Sequence, residues 1–247
     1  MTAPTRLHGQ LALVTGVTSG IGAATVRALL SEGMRVIGLG RDAERLAAAA
    51  HEFGPGFRPI LADLAAPEAR LRAFAELAID AQDPVQLLVN NAAECLYESP
   101  LEVPATRLSR LFEINVSAVV ELTQHVARSM SAGAHIINLS SVVAQHLPSA
   151  KFAPYAASKT ALDCLSEALR LELHPRGIHV STLSPGLVDT PIYDKVEGFE
   201  RARQRIREQV PAWLTAEDVA SAVVWMASRP SHMVVSQLTL LPSAQAR

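Results

Sequence analysis

The chain has little of what commits a protein to disulfide scaffolds, metals or polyanions. Only two of its 247 residues are cysteine, Cys95 and Cys164. That excludes a disulfide framework, and neither cysteine stands at metal-ligand spacing from the other. The eight histidines are scattered without an H-E-x-x-H or comparable cluster, so no metal is expected. Its 22 basic and 24 acidic residues are interspersed and leave a formal charge of -2, which gives no electrostatic basis for binding nucleic acid or an acidic membrane. Long apolar runs are missing as well: Met1 to Gln10 is polar, and the first apolar run breaks at Thr15-Gly16, too early for a signal segment or a membrane span. A soluble, cytoplasmic protein with a small-molecule partner is expected. Internal repeats and low-complexity tracts are absent.

What is present is apolar substance and alternation. Hydrophobic residues make up 49% of the chain, enough to bury the core of a single domain spanning residues 1–247. Seven short β-rich runs are expected as strands: Leu11–Thr15, Arg35–Leu39, Phe57–Leu61, Gln86–Asn90, His135–Leu139, Ile178–Leu183 and Val235–Leu240. Between them Ile21, Ala24, Thr25, Ala28 and Leu29 fall at helical spacing, as do Leu71, Phe74, Ala75 and Ala78. Longer helical stretches cover Ala105–Met130 and Pro154–Leu173, and Thr215-Ala216-Glu217-Asp218 reads as a capping box opening a last helix, Ala216–Ser228. Regular strand-helix alternation implies right-handed crossovers and an α/β fold: a doubly wound, seven-stranded parallel sheet of Rossmann type. Ligands then bind beyond the carboxyl ends of the strands. Apolar residues on more than one face of the two long helices point to burial against the sheet or to subunit contact in a homodimer or homotetramer.

Two motifs carry chemistry. Tyr155 and Lys159 stand four residues apart, on one face of a helix, with Ser141 upstream. An ammonium beside a phenol favours the phenolate, so the pKa of Tyr155 is expected to fall from about 10 and let it pass a proton near neutral pH. Thr15-Gly16-Val17-Thr18-Ser19-Gly20-Ile21-Gly22 lies where a strand hands over to a helix. There Gly16, Gly20 and Gly22 allow backbone close to a pyrophosphate, whose charge faces the helix N-terminus.

With these motifs the chain resembles the short-chain dehydrogenase/reductase family along nearly its whole length. Asn90-Asn91-Ala92-Ala93, Asn115, Ser140-Ser141 and Pro185-Gly186 with Thr190 follow in the family's order. The resemblance implies that Tyr155 exchanges a proton with the substrate oxygen, Ser141 hydrogen-bonds that oxygen, Lys159 also holds the nicotinamide ribose, and Asn115 orders a water relay behind Lys159. It implies cofactor contacts from Thr18, Ser19 and Ile21 of the glycine loop, from Asn91, Ala92 and Ala93, and from Pro185, Gly186, Val188 and Thr190 along the nicotinamide. Asp63 and Leu64 resemble the family's adenine-side pair. Two departures stand out: Ala93 replaces the family's glycine, and one residue more than usual separates Ser141 from Tyr155.

The position at the end of the second strand that carries a carboxylate in NAD enzymes is Gly40, and Arg41 follows. An arginine there accommodates the extra phosphate of NADP, so NADP(H) is favoured over NAD(H). Glu94, Cys95, Val143, His146, Leu147 and Tyr193 follow motifs that end at the catalytic face and are candidate substrate contacts. The charged segment 191–211 is expected as a solvated helix over the entrance, acting as a lid or only as surface. The stretch Val234 to Pro242 resembles the NADP-dependent 3-hydroxy acid and serine dehydrogenase group. The leading expectation is an NADP(H)-dependent enzyme interconverting a ketone or aldehyde with an alcohol. Its alternatives are an NAD-linked alcohol or hydroxy acid dehydrogenase and a nucleotide sensor without turnover.

Overall fold

The structure, a computed structural model, describes residues 6–77 and 82–245. Seven strands form one parallel sheet in the order β3-β2-β1-β4-β5-β6-β7: β1 Leu11–Thr15, β2 Arg35–Gly40, β3 Phe57–Leu61, β4 Val85–Asn90, β5 His135–Leu139, β6 His179–Pro185 and β7 Gln237–Leu240. Parallel strands covered on both faces need apolar residues of either parity. In β1 all five residues are buried; Leu11 and Leu13 enter one core while Ala12 and Val14 enter the other. The helices are α1 Gly20–Ser31, α2 Ala43–Phe53, α3 Pro67–Leu77, α4 Ala105–Phe112, α5 Ala118–Ala127, α6 Ala153–Leu173, α7 Glu200–Gln209 and α8 Ala216–Ala227. The capping box is present: Thr215 Oγ1 accepts from Asp218 N at 3.1 Å, and Thr215 N donates to Asp218 Oδ2 at 2.8 Å. No helix among the described residues is long and apolar enough to cross a membrane.

Several details differ from expectation, among them β6, which runs to Pro185 rather than Leu183. The last strand begins at Gln237 rather than Val235. The stretch expected as one helix over Ala105–Met130 is broken by a π-helical turn, Glu113–Ser117, and ends at Ala127. In α3 the inward stripe is Arg70, Ala73, Phe74 and Leu77, whereas Leu71 is 64% exposed and Ala75 is exposed too; Ala78 lies outside the described residues. The strand order turns back at β1 and β4, the switch point where a doubly wound sheet opens a crevice.

Candidate active site

A cavity of about 500 Å³ opens beyond the carboxyl ends of the strands. Its floor is the turn after β1. Gly16 and Gly20 have φ of +73° and +55°, a region L side chains rarely adopt. A Cβ on Gly22 would overlap the Gly16 carbonyl, and one on Gly20 would stand 3.2 Å from Thr190 Cβ. The Ser19 side chain does not cap α1, and no acidic side chain occupies the first turn, so the positive end of the helix faces the cavity. Thr15 Oγ1 accepts from the backbone of Asn91 at 3.0 Å and of Ala92 at 2.9 Å, while Asn91 Nδ2 donates to Thr15 O at 2.8 Å. These bonds fix the strand ends of β1 and β4 side by side. This tight backbone cradle with a positive helix end fits a dinucleotide pyrophosphate.

Gly40 and Arg41 line the same cavity. A Cβ at Gly40 would press on Thr18 and Leu46 at 3.0 and 3.1 Å, so a carboxylate there would be crowded. Asp42 is used as the N-cap of α2, accepting from Arg45 N at 3.0 Å, and among the described residues Arg41 has no ion-pair partner. Asp63, Leu64 and Ile114 line the far end, and one Asp63 oxygen accepts from Ala65 N at 3.0 Å, stiffening its loop.

Ser141, Tyr155 and Lys159 converge at the other end. Ser141 rather than Ser140 hydrogen-bonds the Tyr155 side chain. Lys159, 2% exposed, donates to Leu139 O at 2.7 Å and lies 5.8 Å from the Tyr155 ring centroid. Asn115 sits in the π turn, which turns its amide inward. Its Oδ1 accepts from Glu94 N, and its Nδ2 donates to Glu94 O and Ser158 Oγ, all at 2.9 Å. Ser158 Oγ in turn donates to Tyr155 O at 2.7 Å.

The electrostatics correct one expectation. Burial pushes the Tyr155 phenol well above its usual pKa, with Cys95 and Tyr193 adding to the rise, and the Ser141 hydrogen bond only opposes it. Desolvation is the largest of these effects. Burial also lowers Lys159 to about 8, against the pull of Asp163, and raises the Cys95 thiol to about 12.

All the residues expected to hold the cofactor line the cavity except Gly22, which is packed beneath the turn. Ala93 lines it too. Of the candidate substrate contacts, Glu94, Cys95 and Tyr193 line the cavity, whereas Val143, His146 and Leu147 do not; His146 and Leu147 face outward. Of segment 191–211, Pro191, Ile192 and Tyr193 line the cavity; Val196 and Phe199 pack with Cys95 and Phe152, while α7 has no fully buried residue. Two contributors escape sequence reasoning. Gln245 Oε1 accepts from Leu187 N at 2.9 Å and so braces the loop after β6, and Arg110 pairs with Glu94 at 3.1 Å on the cavity wall. No spacing signals either contact, because each joins segments far apart in the chain.

Comparison with known proteins agrees with this geometry. The family model for short chain dehydrogenase matches residues 10–200. The chain is 34% identical over 237 residues to serine 3-dehydrogenase of Rhizobium radiobacter, covering 95% of this chain and 94% of that one. It is 35% identical over 233 residues to human L-xylulose reductase, covering 92% of each. Among solved structures, the closed form of serine dehydrogenase complexed with NADP+ superposes with a TM-score of 0.87 at 28% identity, covering 96% of this chain and 97% of that one. A short chain dehydrogenase from Burkholderia cenocepacia in complex with NADP gives 0.86 at 32% identity, covering 97% and 99%. A glycine turn at the switch point of a parallel sheet and a Ser141-Tyr155-Lys159 cluster on the same cavity accord with an oxidoreductase, and the chain belongs to the short-chain dehydrogenase family.

Proposed function

We propose that the protein is an NADP(H)-dependent oxidoreductase that interconverts a ketone or aldehyde with an alcohol, using Tyr155 as general acid and base. The observation that carries this reading is the convergence of Ser141, Tyr155 and Lys159 on the cavity that the glycine turn floors. A nicotinamide nucleotide held in this cavity would supply or accept the hydride. The chain supplies position and a proton. Tyr155 is held neutral, so it offers its O–H to the carbonyl oxygen, with the Ser141 hydroxyl fixing that oxygen alongside. Lys159, anchored on Leu139 O, stabilises the phenolate left after transfer and would also hold ribose hydroxyls of the nucleotide. Asn115 keeps the Glu94 backbone and Ser158 in register behind it.

Arg41 at the mouth and the crowding at Gly40 support NADP(H) over NAD(H), as do the NADP complexes of the structural relatives. The relatives named for serine and xylulose support a small polyhydroxy or hydroxy acid substrate. The test is nucleotide oxidation by the purified protein with NADPH and with NADH across ketones, aldehydes and 3-oxo acids, with Tyr155→Phe as control. Turnover that persists in the control would overturn the role of Tyr155, and a clear preference for NADH would overturn the cofactor choice.

A further inference from the structure

Arg70 is the largest side chain fully buried among the described residues, at 1% exposure, on the inward stripe of α3. Each of its three guanidinium nitrogens has a partner. Nη1 donates to Leu64 O at 2.6 Å, Nε and Nη2 grip the two Glu121 oxygens at 3.0 and 2.9 Å, and Nη2 also lies 2.6 Å from Glu113 Oε1. Leu64 belongs to the loop after β3, Glu113 opens the π turn that carries Asn115, and Glu121 is in α5. Leu64 itself and Ile114, the neighbour of Glu113, both line the cavity. A buried ion cluster is a weak source of net stability compared with apolar packing, but its directional bonds specify geometry. The rigid fork of arginine can span these acceptors at once, and lysine, a single point charge, cannot.

We infer that Arg70 is a positioning residue for the cofactor: by tying Leu64 to the π turn it sets the gap between Leu64 and Ile114, and so the affinity for the adenosine half of the nucleotide, without touching the reacting atoms. The inference rests on the proposed NADP(H) reading, with adenosine at the Asp63–Leu64 end.

The test measures dissociation constants of three probes for the wild type, Arg70→Lys and Glu121→Gln: NADPH, 2′,5′-ADP as the adenosine half, and reduced nicotinamide mononucleotide as the other half. Arg70→Lys should weaken NADPH and 2′,5′-ADP together by about tenfold and leave the mononucleotide within about twofold. Glu121→Gln, at a half-exposed partner, should give a smaller loss with the same pattern and serves if Arg70→Lys fails to fold. A merely structural role would lower the melting temperature without changing the ratio between the two half-nucleotides. Equal losses for both halves, or unchanged 2′,5′-ADP binding in the folded variants, would overturn the inference. If the wild type binds neither NADPH nor 2′,5′-ADP, the cofactor reading itself falls, an outcome visible before any substitution is made.

Discussion

At the residue scale, the pair Tyr155 and Lys159 decides what the cavity does. The phenol is held neutral by burial, so removing its hydroxyl leaves a cavity of nearly the same shape without a proton donor. Tyr155→Phe should therefore lower kcat by about 10²–10⁴-fold, the usual range for a general acid, while NADPH affinity by fluorescence titration changes by less than about threefold. Lys159 sits at about 8 in the folded protein, so it carries its charge below that pH and loses it above. The kcat/KM for reduction should fall as pH rises through about 8. Lys159→Arg, which stays protonated, should remove that limb from the profile even if it lowers the overall rate. The positions of these residues were legible in the sequence, because four-residue spacing fixes a helical face wherever the helix lies. The direction of the Tyr155 shift was not. It depends on Cys95 and Tyr193 closing over the phenol from segments 60 residues upstream and 38 downstream.

At the element scale, the turn into α1 and the helix α7 make contrasting demands. In the middle of a helix, replacing glycine by alanine gains about 1 kcal/mol of helix propensity. At Gly22 the added methyl meets the Gly16 carbonyl and Asn91 Nδ2, and overpacking of that kind costs about 1–3 kcal/mol. Sterics win, so Gly22→Ala should lower the unfolding free energy in urea and weaken NADPH binding by at least about tenfold. By contrast, α7 is held by the partly buried Ala202 and Ile206, by Phe199 just before it, and by ion pairs at its surface. Phe199 is buried, a contribution of about 1.5–3 kcal/mol, whereas the Arg207–Asp189 and Arg203–Asp194 pairs at 2.5 and 2.6 Å are partly exposed and contribute about 0–1 kcal/mol each. An element docked so lightly opens before the core does. If it acts as a lid, hydrogen exchange across 191–211 should slow when NADPH binds, and unchanged protection would leave it a surface helix. The strands were legible because their apolar runs are bounded by turns. The π turn was not, since Glu-Ile-Asn-Val-Ser reads as uninterrupted helix, and the stripe of α3 was misregistered because Arg70, a charged residue, faces inward.

At the scale of the whole molecule, the parallel sheet has two unlike ends: the carboxyl ends carry the cavity, and the amino ends of β5 and β6 carry a histidine pair, His135 buried and His179 half-buried. His135 and His179 are register partners with ring centroids 5.9 Å apart, and His135 Nε2 lies 2.7 Å from Ser181 Oγ. The sequence conceals this contact, because only strand register places residues 44 positions apart side by side. Burial, aided by His179 and Arg6, lowers His135 to about 3, so the native protein holds it neutral while the unfolded chain protonates it near 6.5. The unfolded state therefore binds the extra proton between those values. The stabilisation is complete above about pH 6.5 and is lost progressively as the pH falls toward about 3. Urea midpoints of the wild type should drop between pH 7 and pH 4.5, and His135→Gln, which cannot charge, should flatten that drop while starting from lower stability at pH 7. Because the pair lies at the far end of the sheet from Tyr155, the substitution should leave the pH profile of kcat/KM unmoved. A shift in that profile would mean that protonation at the amino ends is felt across the sheet.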